Sequence, residues 1–187
     1  MALVHNLAGA SYGTVLVLDS TELKKDELGD GALRALEEHA TLLFRTGGLS
    51  LSLEEQWLYL KYNTETLGSN QDMMDILVNG FGYESKRVIG DRNFEIVVDH
   101  QGYHPMWALT LLATKGDRHV AYLHNDMVAE AAARLPNIRR IFDLYRRFDR
   151  LISVSDSSCQ ANTDSLKDQW PETQGKHRYV YNGLIAE

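Results

Sequence analysis

Four segments of this chain end in residues that can bind a ligand or move a proton. Asp99, His100, Gln101, Gly102 and Tyr103 follow the apolar run that starts at Phe94. His124, Asn125 and Asp126 follow His119–Leu123, and Ser155, Asp156 and Ser157 follow Leu151–Val154. Asn182 and Gly183 follow Tyr179–Tyr181. A histidine titrates near neutral pH and can donate or accept a hydrogen bond. Backbone N–H groups opening a helix after Ser155 can meet an anion such as phosphate. The same residue types also serve as turns and helix caps, and any one of them alone reads that way. Four polar ends in series point instead to a binding or catalytic site.

The elements that must position these groups follow from apolar spacing. From Phe94 onward strands and helices alternate. The runs Phe94–Asp99, His119–Leu123, Leu151–Val154 and Tyr179–Tyr181 read as strands. Between them lie Pro105–Ala113, with proline suited to a first helical turn, and Asp126–Tyr145, interrupted near Pro136-Asn137. Asp156–Trp170 follows, capped by Ser155. Phe-Glu-Ile-Val-Val-Asp suits a strand covered on both faces. Repeated strand–helix–strand units predict right-handed crossovers and a parallel sheet, an α/β, Rossmann-like fold with flanking helices. Ligands of such sheets bind beyond the carboxyl ends of the strands, where the polar segments fall.

The first half is plainer. Thr14–Leu18 reads as a strand, and leucines at 28, 33, 36, 42 and 43 are spaced for a helix over Glu22–Leu43. Gly47-Gly48 is a break. Ser52 and Glu55 form a capping box opening a helix through Trp57, Leu58 and Leu60. A further helix over Gln71–Val88 places Met73, Ile76, Leu77 and Phe81 on one face. The character changes near Gly90, within an expected single domain over residues 1–187.

The segments Phe-Glu-Ile-Val-Val-Asp-His (94–100), Val-Ala-Tyr-Leu-His-Asn-Asp (120–126), Phe-Asp-Arg-Leu-Ile-Ser-Val-Ser-Asp (148–156) and Val-Tyr-Asn-Gly-Leu-Ile (180–185) come in a telling order. In order and spacing they resemble the N-terminal lobe of GT-B glycosyltransferases of the retaining family 4 type. The match covers about residues 91–187, whereas residues 1–90 match poorly. Leu-His-Asn-Asp-Met and Leu-Tyr-Arg-Arg-Phe-Asp further resemble modules of bacterial wall-polymer (teichoic-acid-type) synthesis, some of which accompany CDP-glycerol glycerophosphotransferases.

The resemblance implies a transferase that uses a sugar-nucleotide donor and a glycan or polymer acceptor, with no bound cofactor and no metal. It implies that His124 is the catalytic-site histidine, contacting the donor sugar or the leaving phosphate. Asp99, His100, Gly102, Tyr103, Asn125, Asp126 and Ser155 would line the acceptor cleft. Asn182 and Gly183 would mark the hinge to a second, nucleotide-binding lobe. On this reading the chain is one lobe of a two-lobed enzyme, inactive alone, and its cleft face would favour a homodimer.

Composition bounds the alternatives. Of 187 residues 44% are apolar and 24% charged, which excludes disorder as the main state. One cysteine, Cys159, excludes a disulfide framework. Nineteen basic against 26 acidic residues, a net charge of -7, argues against a nucleic-acid binder. The first lysine is Lys24, so no basic segment of a secretory signal precedes it, and a cytoplasmic protein is expected. His100, His104, His119 and His124 lie in one stretch, but their spacing supplies no convergent metal-ligand set. Arg139, Arg140, Arg146 and Arg147 crowd one helix, either as a solvated face or as a contact for anionic lipid at the inner face of the membrane. Outside catalysis, the competing reading is a Rossmann-like binding or scaffolding domain, since a fold does not settle a function.

Overall fold

The structure is a computed structural model that describes residues 12–20, 30–64, 71–134 and 138–181. By its contacts the chain divides into two compact units, one over Met1–Leu49 with Asn182–Glu187 and one over Ser50–Tyr181. The change of character near Gly90 thus falls inside the larger unit.

In the first unit β1 (Val15–Asp19) and β2 (Thr41–Arg45) pair in parallel, linked through α1 (Asp30–Glu37). The buried Arg45 guanidinium donates to Asp19 at 3.1 Å. The long helix expected over Glu22–Leu43 is corrected here. Leu42 and Leu43 belong to β2, where they pair with Leu16 and Val17. The run Thr-Leu-Leu-Phe suits a strand, and parallel pairing outweighs the helical leucine spacing.

The second unit opens with α2 (Leu53–Thr64) and α3 (Gln71–Ile89). The capping box is present: the Glu55 N–H donates to Ser52 Oγ at 3.2 Å, and the Ser52 N–H donates to Glu55 Oε2 at 2.7 Å. The remaining elements are β3 (Phe94–Asp99), α4 (Pro105–Leu112), β4 (Gly116–Leu123), α5 (Met127–Ala133), α6 (Arg139–Tyr145), β5 (Arg150–Ser153), α7 (Asp156–Leu166) and β6 (His177–Tyr179). The strands form an all-parallel sheet in the order β3-β4-β5-β6. This is the Rossmann-like α/β arrangement that the alternation predicts, with strand ends that coincide with the expected ones or differ by at most three residues.

Every step across this sheet goes the same way. Right-handed crossovers then put all the connecting helices on one face. The register bears this out along the middle of the strands. Val97, Asp99, Ala121, Leu123, Leu151, Ser153 and His177 share that face, and all are buried. Ile96, Val98, Val120, Tyr122 and Ile152 share the other, and none is buried. The expectation that β3 is covered on both faces is therefore corrected. Its apolar run is real, but only alternate residues enter the core, and Ile96 stays 56% exposed.

Helix α4 lies in the middle of the covered side. Four consecutive residues, Trp107 to Thr110, are buried, as in a helix surrounded by protein. It packs on β3 and β4 below and on α3 and α6 around it. Phe142, Tyr145 and Phe148 fill the space beside it, each at most 1% exposed. Each such side chain contributes about 1.5–3 kcal/mol by leaving water. Helix α7 packs on β5 and β6. No helix among the described residues is long and apolar enough to cross a membrane.

His177 on β6 is 7% exposed, and neither ring nitrogen has a partner among the described residues. Burial lowers its pKa from the ordinary 6.5. The unfolded chain therefore takes up this proton first as the pH falls, so stability is lost as pH drops through about 6.5. His177→Leu is expected to flatten the fall in Tm between pH 7.5 and pH 5. A thermal melt series showing the same slope in both proteins would refute this.

Candidate functional site

The site is built where β3 and β4 end side by side. Asp99 closes β3 on the covered face and is 2% exposed. The Gly102 N–H donates to its Oδ1 at 3.1 Å, a side-chain-closed turn. Gly102 has φ +69°, and a Cβ there would lie 2.5 Å from the Tyr122 carbonyl oxygen. Only glycine fits both the backbone angle and the neighbouring strand.

The turn leaves His100 beside Tyr122, the two rings stacked with centroids 5.0 Å apart and planes 8° from parallel. His124 stands edge-on to both, at 5.2 Å from His100 and 5.3 Å from Tyr122. Its Nε2 lies 2.6 Å from the His100 carbonyl oxygen. A carbonyl only accepts, so Nε2 carries the hydrogen, and in the neutral ring Nδ1 keeps a lone pair. Tyr103 lies nearly parallel to the His124 ring at 6.3 Å, and Asn125 Nδ2 donates to its hydroxyl at 2.8 Å. The result is a partly exposed group of aromatic and imidazole rings, edged by an amide, over a buried carboxyl. Ring faces of this kind suit the apolar face of a sugar or a base, and Nδ1 suits a hydroxyl donor.

The Asp99 carboxyl is pushed up to about 6, chiefly by burial, against the lowering effect of the Gly102 and Gln101 amides and of the nearby His104 and His124. A carboxyl half-protonated near pH 6 at a strand end is common at functional sites, and it is also a cost to the fold.

Of the residues expected in the cleft, Asp99, His100, Gly102, Tyr103, His124 and Asn125 come together. Asp126 and Ser155 do other work. The Asp126 carboxylate accepts the Ala129 N–H at 3.0 Å and caps α5. Ser155 Oγ accepts the Ser158 N–H at 3.1 Å and caps α7. Asn182 and Gly183 lie outside the described residues. The four histidines do not converge: His119 is on the covered side of β4, with Nε2 3.0 Å from the Thr114 carbonyl oxygen. The arginines of α6 and of the turn that follows it do not form one solvated face. Arg139 is exposed, but Arg147 is paired with Asp75. Nε and Nη2 of Arg146 are buried without a partner among the described residues.

Two contributors are not apparent from the sequence. Tyr122 is one, although period-two alternation places it on the same face of β4 as His124. Asn162 is the other. It is fully buried in α7, its Oδ1 accepts the Met127 N–H at 2.9 Å, and its Nδ2 donates to the Asn125 carbonyl at 2.9 Å and to Ser153 Oγ at 3.2 Å. It ties the loop carrying His124 and Asn125 to β5 and α7. Its only signal in the sequence is an asparagine within a helix, a poor helix former usually found in solvent.

No protein-family model matches the chain, and no curated protein matches it.

The geometry predicts two outcomes. Above pH 7 the buried Asp99 charge costs about 3 kcal/mol, given a rise from 3.8 to about 6. A raised folded pKa gives stability that is complete below about 4 and lost as pH rises through about 6. Asp99→Asn keeps the acceptor for Gly102, so its Tm should exceed that of wild type at pH 8, with the gain vanishing toward pH 4; an equal Tm at pH 8 would count against the buried charge. Asn162→Leu strands the Met127 N–H and the Asn125 carbonyl, and should cost about 2–4 kcal/mol in chemical denaturation. It should also speed exchange of the Met127 amide, and unchanged exchange would remove Asn162 from this role.

Proposed function

We propose that this chain is the acceptor-side, N-terminal lobe of a GT-B glycosyltransferase of the retaining family 4 type. It would work in cell-envelope polysaccharide or teichoic-acid-type polymer synthesis, in the cytoplasm at the inner face of the membrane. The observation that carries the reading is the ring group His100–Tyr122–His124–Tyr103 at the carboxyl ends of adjacent parallel strands. In parallel α/β sheets such ends are where ligands bind.

The residues divide the work. Ring faces take the apolar side of a sugar. Asn125, reached through Tyr103, offers an amide at the rim. His124 has already given its Nε2 hydrogen to the His100 carbonyl, so Nδ1 accepts from a sugar hydroxyl. A phosphate oxygen is also only an acceptor, and meeting it would require the doubly protonated ring. This favours the sugar over the leaving phosphate as the partner of His124. On this reading a second lobe supplies the nucleotide contacts.

The reading is tested first on this chain by ligand-observed NMR with a panel of monosaccharides, disaccharides and glycerol phosphate. Saccharides are expected to bind and to shift the His100 and His124 imidazole signals. In the two-lobed enzyme His124→Ala should lower kcat by about a hundredfold or more. Full activity in that variant, or no saccharide binding at millimolar concentration, would defeat the assignment. Turnover of CDP-glycerol in place of a sugar nucleotide would move it to glycerophosphate transfer.

A further inference from the structure

The face of the β3–β6 sheet turned away from the helices has a chemistry of its own. Its centre is apolar: Ile96 and Val98 on β3 are 56% and 39% exposed, and Val120, Tyr122 and Ile152 beside them are half-buried. One side is rimmed by arginines. Arg118 is level with Ile96, Arg150 with Val120, and Arg178 with Ile152. Each therefore lies one strand over and two residues up from the last. At about 4.8 Å between strands and 3.3 Å per residue, that is a diagonal row with steps of roughly 8 Å. All three are exposed. Arg118 has one acidic neighbour, Asp149 at 3.6 Å, in a solvated pair. Arg150 and Arg178 donate to backbone carbonyls of Asp149, Gly175 and His177, which hold the side chains without neutralising them.

All-parallel sheets are found with both faces covered, because a strand apolar on both sides is costly to leave in water. We propose that this face docks an acidic amphipathic helix of a partner protein. The apolar centre takes the helix's apolar stripe, and the arginine row takes carboxylates along one edge of that stripe. Charge chooses among the occupants. A second copy of this chain laid face to face would bring a second arginine row onto the same small patch. A polyanion would satisfy the arginines but leave Ile96, Val98 and Ile152 in water. Only an occupant both apolar and acidic answers both halves of the surface.

The test uses two synthetic helical peptides of roughly 18 residues with one leucine stripe, flanked in one by glutamates and in the other by lysines. Each is titrated against the 187-residue chain by fluorescence anisotropy and by methyl NMR. The acidic peptide is expected to bind at least about tenfold more tightly, for three exposed ion pairs gained together. The methyl shifts should fall on Ile96, Val98, Val120 and Ile152. The triple variant R118E/R150E/R178E should reverse the preference, and Ile96→Asp should weaken both peptides. All four substitutions replace exposed residues, and circular dichroism and Tm are recorded for each variant so that a loss of binding is read only on folded protein. Equal affinity for the two peptides, no binding, or shifts elsewhere would overturn the proposal. So would a dimer in sedimentation that Ile96→Asp dissolves, because the face would then belong to a second copy.

Discussion

The constraint on which the second unit rests is directional. Four parallel strands added in one direction, joined by right-handed crossovers, have no means of placing helices on both faces. Helices α4 and α7 therefore pack directly on one side, with α3 stacked on α4 as a further layer. The covered face becomes a dry core along the middle of the strands, and the opposite face keeps half-exposed valines and isoleucines and exposed arginines. Period-two alternation carries that division to the ends of the strands. Asp99 inherits the dry side. His100 and His124, one and two pleats along, inherit the open side.

This explains why the candidate site has an acid beneath and imidazoles above. The Asp99–Gly102 turn reverses the chain at the face boundary. Its glycine is demanded by the Tyr122 carbonyl 2.5 Å from where a Cβ would be. On the other side of the site, the loop after β4 has no regular structure to hold it. The Asn162 amide does so from the middle of α7, using both its donor and its acceptor capacity within the core. A buried side chain with several partners fixed by good geometry holds position more firmly than an exposed one, because water offers no substitute for the bonds it would lose. The rings of His100, Tyr122, His124 and Tyr103 then stand against one another at the ends of two strands that cannot shift relative to each other without breaking the ladder.

Much of the α/β pattern was legible because it is local. Alternating apolar runs and helical stripes after Phe94, the proline at the start of α4 and the Ser52–Glu55 box all need only neighbours in sequence. The polar residues at strand ends were legible for the same reason, and six of the eight residues expected at the cleft sit together. What was misread depends on distant partners. Leu42 and Leu43 follow helical spacing, yet they pair with β1. The β3 run looks buried on both sides, yet strand order decides that it is not. The arginines at 139 and 147 look alike in sequence, and it is the pairing with Asp75 that sets Arg147 apart from the exposed Arg139.

The chain's sequence by itself determined the class of the fold and the places where chemistry can sit, because periodicity and end residues are properties of short segments. Tertiary structure alone decided which of those places meet. It set His100, Tyr122 and His124 within 5.3 Å of one another, faced Nε2 of His124 with the His100 carbonyl, buried the Asp99 carboxyl, and recruited Asn162 from 37 residues beyond Asn125. The physical reason is that strand order and register, which bring remote residues into contact, are set by burial and pairing over the whole sheet and leave no mark on any one stretch of sequence.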